Sequence, residues 1–139
     1  MIVESSISET LLSAARIKAP GSPSVEVALP FQPFSPEEGQ EYVEAIFLPN
    51  VTQELFVGNE TPKWYQGFLQ LSVMWPDKGQ GDLPARDLAS EIAQSWRKGT
   101  ALDGSGFRIK VPRAPSIAQT MKDGAWLRVP VSIPYQVIA

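Results

Sequence analysis

The residues of this chain that could do chemistry are mainly carboxylates. Four glutamates cluster in one short stretch: Glu37, Glu38, Glu41 and Glu44. Two carboxylates in a cleft can act as general acid and base if burial raises the pKa of one of them. Nothing near the cluster indicates burial or a cleft, so we predict a solvated acidic segment. A small carboxylate-dependent hydrolase is the alternative, and it would lose activity on mutation of Glu37, Glu41 or Glu44.

Composition excludes most other reactive groups. The 139 residues include no cysteine and no histidine. This rules out disulfides, thiolate nucleophiles, zinc sites of the usual type and histidine-based triads, and it leaves open only an all-carboxylate metal site. We therefore predict that the protein is not an enzyme, and that it has no catalytic, cofactor-binding or metal-binding residues.

A glycine turn before a helix suggests phosphate binding at first sight. Gly79-Gln80-Gly81 precedes a helical pattern. It lacks the third glycine and the lysine–serine pair that cradle phosphates, and Asp82 would repel an anion at the helix start. We predict that this turn is a connector without a nucleotide.

Acidic and basic side chains are unevenly distributed along the chain. Residues 1–60 carry nine acidic and two basic side chains, whereas residues 61–139 carry six acidic and ten basic ones. This is either scatter over a solvated surface or two faces of opposite sign that meet in an assembly. The basic group is Arg97, Lys98, Arg108, Lys110 and Arg113. It has no interleaved aromatics, and the isoelectric point of about 4.9 argues against a dedicated nucleic-acid binder.

The longest regular pattern runs from residue 64 to residue 99. Its first part alternates with a period of two, which predicts a half-buried strand. The expected core face is Leu69, Leu71, Val73 and Trp75. Apolar residues at three- and four-residue spacing then predict an amphipathic helix over about 83–98. Asp82 is expected to cap or complement its positive end, and Gly99 to follow its last turn.

The first half of the chain contains shorter elements. We predict a helix over residues 5–18, a short strand over 25–29 and a second strand over 41–48. Between the strands, three prolines in 30–36 predict an extended connector whose phenylalanines dock on the core. Residues 49–63 fit no regular pattern, and we interpret them as an arm that reaches a neighbouring subunit.

The last strand is long and interrupted by proline. Leu127, Val129, Val131, Ile133, Tyr135 and Val137 form one apolar face. Pro130 and Pro134 lie on the other face, and both withdraw a donor from the same flank. That flank is therefore an edge, or it meets something other than a regular strand. A short strand over 107–111 precedes it.

Together these elements predict a single α+β domain over residues 1–139. We expect a mostly antiparallel sheet of about four to five strands with two main helices packed on it, over about 5–18 and 83–98. The N-terminal residues have no basic region followed by an apolar run, so no signal peptide is expected. No stretch reaches the length of about 20 apolar residues that a membrane span needs, so no membrane partner is expected.

The order of these motifs resembles that of a known protein family. The motifs are Trp64-Tyr65-Gln66-Gly67, Leu69 to Trp75, Pro76-Asp77-Lys78-Gly79, Trp96-Arg97-Lys98-Gly99-Thr100, Phe107 to Pro112, and Gly124-Ala125-Trp126 leading to Tyr135. In order and spacing they resemble the tail-terminator, or tail-completion, proteins of long-tailed phages and prophages, related in fold to the lambda-type terminator. The resemblance spans residues 5–138 and is sharpest from Tyr65 onward.

The resemblance implies a structural virion protein. Such proteins form a ring, usually a hexamer, at the head-proximal end of the tail tube, where they end tube polymerisation and join the head-side connector or stopper protein. Genomic DNA would pass through the lumen without sequence-specific contact. The implied location is the tail of the virion, with assembly in the host cytoplasm. The alternative in the same class is another neck component, a head-completion or stopper protein.

Candidate contact residues follow from the arm, the basic group and the last strand. A cyclic ring needs two different patches on each subunit, which the acidic and basic halves would supply. We expect contacts to a neighbouring subunit or to the tube from Glu54, Phe56, Asn59, Arg108, Lys110, Arg113, Pro130 and Pro134.

Overall fold

The computed structural model describes residues 3–18, 25–36, 39–50, 52–54 and 63–138. In chain order, the elements are α1 (Val3–Ile17), β1 (Glu26–Ala28), β2 (Tyr42–Pro49), β3 (Gln53–Glu54), β4 (Lys63–Pro76), α2 (Leu83–Ser95), β5 (Ala101–Asp103), β6 (Arg108–Lys110), β7 (Ser116–Ile117), β8 (Met121–Asp123) and β9 (Trp126–Ile138). The strands of this described part form one sheet. The predicted α+β class is confirmed. Four to five strands was too few, because several of the nine are too short to show a periodic pattern.

The centre of the sheet is the antiparallel pair β4–β9. Its register places Leu69 opposite Ile133 and Leu71 opposite Val131. These side chains share one face because strand residues alternate with a period of two. The predicted core faces of both strands are thereby confirmed, and the strand path across the sheet is β1-β2-β4-β9-β6-β5.

Both helices pack on the core face of the sheet. From α1 come Ile7, Leu11, Ala14 and Ala15, and from α2 come Ala85, Leu88, Ala89 and Ile92. Helix α1 contacts β1 and β2 at one side of the sheet and β5 at the other, whereas α2 packs on β4, β7 and β9. The sheet therefore curls around the helices. It is mixed rather than purely antiparallel, because β1 runs parallel to β2.

Three short strands cover the proline-containing flank of β9. Strand β8 pairs with residues 126–128 of β9, β7 pairs with 131–132, and β6 pairs at residue 136. Pro130 and Pro134 fall in the gaps between these pairings, where no partner strand needs a donor from them. The Pro130 carbonyl still accepts a hydrogen bond of 2.9 Å from the Ala118 N–H. The prediction that this flank meets something other than a regular strand is confirmed.

The first turn of α2 is tied to the segment between β7 and β8. Asp82 is the N-cap residue of α2, as expected, but its side chain makes no capping hydrogen bond. Its carboxylate accepts a hydrogen bond from Thr120 Oγ1 instead. Arg86 donates to the Ala118 carbonyl at 3.0 Å and to Thr120 at 3.2 Å. These bonds anchor the helix start to the far flank of β9.

The other end of α2 is tied to α1. The helix ends at Ser95, earlier than the predicted residue 98. The Lys18 ammonium donates to the Ser95 carbonyl at 3.2 Å and lies 5.5 Å from the ring centre of buried Trp96. A cation at a helix C-terminus is favourable, and here it comes from another element. Gly99 does not follow the last turn directly; its N–H donates to the Val111 carbonyl at 3.0 Å.

The predicted arm over 49–63 is in part an extension of the β2–β4 hairpin. The pairing of β2 with β4 ends at Pro49 opposite Gly67, and β3 resumes it with Gln53 opposite Trp64. The register shifts by one residue between these pairs, so the strand carries a bulge there. Residues 55–62 lie outside the described residues.

We predict that Gly67→Ala lowers the free energy of unfolding by about 2–3 kcal/mol, because the new atom has no room. A Cβ at Gly67 would lie 2.4 Å from the Leu48 carbonyl oxygen and 2.9 Å from Pro49 Cα, both backbone atoms of β2. Urea unfolding measures the loss. Gly81→Ala is the control, since a Cβ there meets nothing within 4 Å and its positive φ costs only about 1 kcal/mol. Equal losses in the two variants would contradict the steric argument.

We predict that Ser72→Ala leaves the free energy of unfolding unchanged or raises it by about 1 kcal/mol. The Ser72 side chain is 1% exposed, and its hydroxyl has no hydrogen-bond partner among the described residues. Removing a buried, unpaired hydroxyl removes a desolvation cost. Thr100→Val is the control, because the Thr100 hydroxyl donates to the Arg97 carbonyl at 2.7 Å and its loss should destabilise the fold. Marked destabilisation by Ser72→Ala would show that its hydroxyl is bonded after all.

Candidate functional site

Among the described members of the glutamate cluster, Glu44 is the one with an ion-pair partner. No group of three or more potential metal ligands comes together in the described part of the chain. The Glu44 carboxylate accepts a hydrogen bond of 3.0 Å from Arg128, which also bonds Asp123 at 3.1 Å. This network links β2, β8 and β9 and raises the pKa of Arg128, chiefly through the bond to Glu44. Glu41 is half-buried, and Glu37 and Glu38 lie outside the described residues.

The pKa of two tyrosines, Tyr42 and Tyr135, is raised by their surroundings. Burial in the core, with the nearby Glu4 carboxylate, raises the pKa of Tyr135 well above its ordinary value. Its ring stacks on Phe47 at 5.5 Å between centroids. Burial also raises the pKa of Tyr42, which lies edge-on to Trp126 at 5.2 Å. Both phenols therefore stay protonated at neutral pH, which suits packing groups rather than bases.

One side of the sheet concentrates positive charge. The hairpin of β5 and β6 is closed by the Gly104 N–H, which donates to the Phe107 carbonyl at 2.9 Å. The segment before β5 lies against the end of β6, because the Val111 N–H donates to the Thr100 carbonyl at 2.9 Å. This side, which we call the basic edge, comprises residues 97–113. Its cations are exposed: Arg97, Lys98, Arg108, Lys110 and Arg113.

Two of these cations have partners within the chain. Arg108 forms an exposed ion pair with Asp103 at 2.7 Å across the hairpin. The Arg113 guanidinium lies 5.6 Å from the ring centre of Phe68 on β4. Asp103 is the only acidic residue between positions 97 and 113. The basic edge therefore keeps a net positive charge.

The opposite side of the sheet carries negative charge. It consists of β1, β2 and the described part of their connection, residues 25–36 and 39–50, which we call the acidic edge. These residues include three glutamates, Glu26, Glu41 and Glu44, and Glu44 is paired with Arg128 of β9. Of these, the exposed Glu26 and the half-buried Glu41 have no ion-pair partner among the described residues. The basic edge thus holds five of the ten basic side chains of residues 61–139, whereas Arg128 from the same half of the sequence is paired with Glu44 at the acidic edge.

An exposed aromatic residue projects from the acidic edge. Phe31 is fully exposed, and its φ of +56° makes it the one non-glycine residue with a positive φ in the described part of the chain. Our prediction that the phenylalanines of 30–36 dock on the core is wrong for Phe31, since its ring touches no core side chain. Phe34 does pack, at 5.0 Å from the ring of Tyr42.

Comparison with known proteins decides the family. The sequence profile described as phage tail terminator protein matches residues 4–135. This chain belongs to the phage tail terminator family. The family is one of structural tail proteins, which places the terminator in the virion as a component of the phage tail.

Other comparisons bear on the fold alone. One solved structure superposes on this chain with a TM-score of 0.73 at 23% sequence identity. The alignment covers 97% of this chain and 92% of that chain. At this identity the likeness shows a shared fold. No curated protein matches the terminator in sequence. No helix in its described residues is long and apolar enough to cross a membrane.

The terminator's predicted contact residues fall into three groups. Arg108 and Lys110 lie in β6 at the basic edge, whereas Arg113 follows this strand and lies over Phe68 of β4. Glu54 lies in β3, which is separated from β6 by β4 and β9 at the same end of the sheet. Phe56 and Asn59 lie outside the described residues. Pro130 and Pro134 are buried within the chain, so they shape the flank of β9 rather than offering a surface.

Phe31 is the residue that sequence reasoning misplaced. An apolar residue among prolines gives the same hydropathy signal whether it packs inward or projects outward. An exposed aromatic side chain in a strained backbone conformation is a common feature of functional sites, and aromatic residues are enriched among the residues that dominate binding. The proline-rich setting of Phe31 was the available signal.

We predict that Phe31→Gly keeps or raises the free energy of unfolding, by up to about 1 kcal/mol, because glycine adopts a positive φ without strain. We expect the same variant to bind other tail components at least about tenfold more weakly, since an aromatic anchor is lost. Urea unfolding and co-sedimentation with the tail tube protein of the same genome measure the two effects. Leu83→Ala, at an exposed residue on α2, should change neither. If Phe31→Gly lowered the free energy of unfolding and left binding unchanged, Phe31 would be a packing residue rather than a binding residue.

Proposed function

We propose that the chain forms a ring, a hexamer, that caps the head-proximal end of the phage tail tube. The ring ends polymerisation of the tube and provides the joint to the head connector or stopper protein. The observation that carries this proposal is the match to the tail terminator family over residues 4–135. Assembly takes place in the host cytoplasm, and genomic DNA later passes through the lumen without sequence-specific binding.

The surface chemistry of the subunit supports a ring. A cyclic assembly is built from a heterologous interface, in which two different patches of each subunit meet. The acidic and basic edges are two such patches on opposite sides of the sheet. Arg108, Lys110 and Arg113 are proposed as contacts at the basic edge. Glu54, Phe56 and Asn59 are proposed as contacts of the arm with a neighbour or with the tube.

The contacts of the described carboxylates also suit a structural protein. Glu44, one of the four clustered glutamates, forms an ion pair with Arg128 and so links β2 to β9. A terminator needs rigid surfaces held at fixed angles rather than a substrate cleft. The β4–β9 pair and the two helices on its core face supply that frame.

We predict that the purified chain limits the growth of tail tubes. Tube protein from the same genome is polymerised with and without an equimolar amount of the chain, and tube lengths are measured by negative-stain electron microscopy. We expect shorter tubes that stop growing and carry a ring at one end, because a capped end cannot add subunits. The control is the same chain unfolded by heat.

Two outcomes would contradict this proposal. Tubes of unchanged length without terminal rings would exclude a capping function. Co-sedimentation of the chain with portal or adaptor rings, and not with tubes, would favour the neck component on the head side of the joint instead.

A further inference from the structure

Strand β2 has an unpaired edge over its second half. Its pairing with β1 ends where Ala28 lies opposite Glu44, but β2 continues to Pro49. Among the described residues, no strand pairs with β2 on that side beyond Glu44. We call residues 45–48 the open edge. A strand edge of this kind has N–H and C=O groups that can bond another extended segment.

A groove lies beside the open edge on each face of the sheet. On the helix face, side chains of α1 line the groove together with Leu29, Gln32 and Phe47. On the opposite face, the groove is lined by Phe31 and Ile46, and Leu29 and Gln32 also border it. Because successive residues of a strand point to opposite faces, a strand added at the open edge would place alternate side chains in the two grooves.

The chain itself contains a segment with a matching pattern. Leu55-Phe56-Val57 follows β3 directly and is an apolar run of residue types that favour strands. In an extended segment, the first and third side chains point to one face and the second points to the other. Phe56 would then meet Phe31 in the outer groove, and its two neighbours would meet Phe47 in the groove on the helix face.

This segment is too short to reach the open edge of its own copy. Glu54 lies opposite Lys63 at the end of the hairpin. Val57 is three residues beyond Glu54, so it lies at most about 11 Å from it. The open edge lies opposite residues 68–71 of β4, which begin five residues along the strand from Lys63, or about 17 Å. The segment can therefore fill this edge only in a second copy.

We propose that residues 55–57 of each copy add a strand to the open edge of the next copy. This inference rests on the proposed ring and names a contact that links its subunits. The donated segment and the open edge are different parts of the chain, so the contact is heterologous and can repeat around a ring. Main-chain hydrogen bonds supply affinity, and the fit of alternate side chains to the two grooves fixes the register.

The test is disulfide cross-linking between copies, which is unambiguous because the chain has no cysteine of its own. Phe56→Cys is mixed with Ile46→Cys or with Leu48→Cys, whose positions on β2 lie on the face away from the helices. Under mild oxidation we expect at least one mixture to give a covalent pair of unlike copies. Side chains that lie opposite each other on paired strands are close enough for a disulfide.

Matched controls test the alternation and the location of the contact. Leu55→Cys and Val57→Cys should each give at least about tenfold less of the covalent pair with the same two partners, since their side chains point to the other face. Ser90→Cys, at an exposed position of α2, should give none with Phe56→Cys. Mass spectrometry identifies unlike pairs, circular dichroism checks folding, and negative-stain images show rings in solution and at tube ends.

The outcomes separate this inference from the proposed function. Rings or capped tubes without the cross-link would overturn the strand addition, and the ring proposal would stand. Equal cross-linking from positions 55, 56 and 57 would also overturn it, because paired strands alternate. If Ile46→Lys formed rings but no longer sedimented with tubes, the open edge would bind the tube protein instead of a second copy. The cross-link without rings, in solution and on tubes alike, would support the strand addition and overturn the ring proposal.

Discussion

The pairing of β4 with β9 is the constraint on which the rest of the structure depends. It aligns 13 successive residue pairs, from Trp64 opposite Ile138 to Pro76 opposite Trp126. A slip of one residue in either strand would turn its core face outward. With this register, the apolar faces of β4 and β9 lie on the same side of the sheet. The apolar faces of α1 and α2 are buried against that side. The positions of α1 and α2, and through them the curl of the sheet, follow from that pairing.

The prolines of β9 have a consequence beyond the strand itself. They interrupt hydrogen bonding along one flank, so that flank is covered by three short strands rather than one long one. The chain between these strands is free to turn, and the hairpin of β5 and β6 lies at the outer end of the series. In this way the loss of two donors places the basic residues at a rim of the sheet, opposite the glutamates of β1 and β2.

The residues that hold the fold together are therefore different from those proposed to contact partners. Its core is a conventional apolar layer, and the polar bonds of Lys18, Arg86 and Arg128 tie neighbouring elements together. The described surfaces proposed for assembly lie at the two rims of the sheet. Phe31 fits this division, because its exposed ring and positive φ contribute nothing to the core.

The amino-acid sequence by itself determined the two helices, the alternating faces of β4 and β9 and the family to which the chain belongs. These features depend on periodicity over ten or more residues, or on the order of motifs along the chain. The irregular pairing along one flank of β9 could also be predicted, because proline has no backbone N–H to donate. Only the tertiary structure decided the rest. Strands of two or three residues have no period to detect, and they form because β9 offers a flank to pair with.

The partners of single side chains were likewise decided by the fold. The carboxylate of Asp82 bonds Thr120 rather than its own helix, and the cation at the end of α2 is Lys18 from α1. The charge imbalance between the two halves of the sequence was compatible with scatter over the surface or with two faces of opposite sign. Which segments become the rims of the sheet follows from the strand order, because pairing between residues distant in sequence decides it.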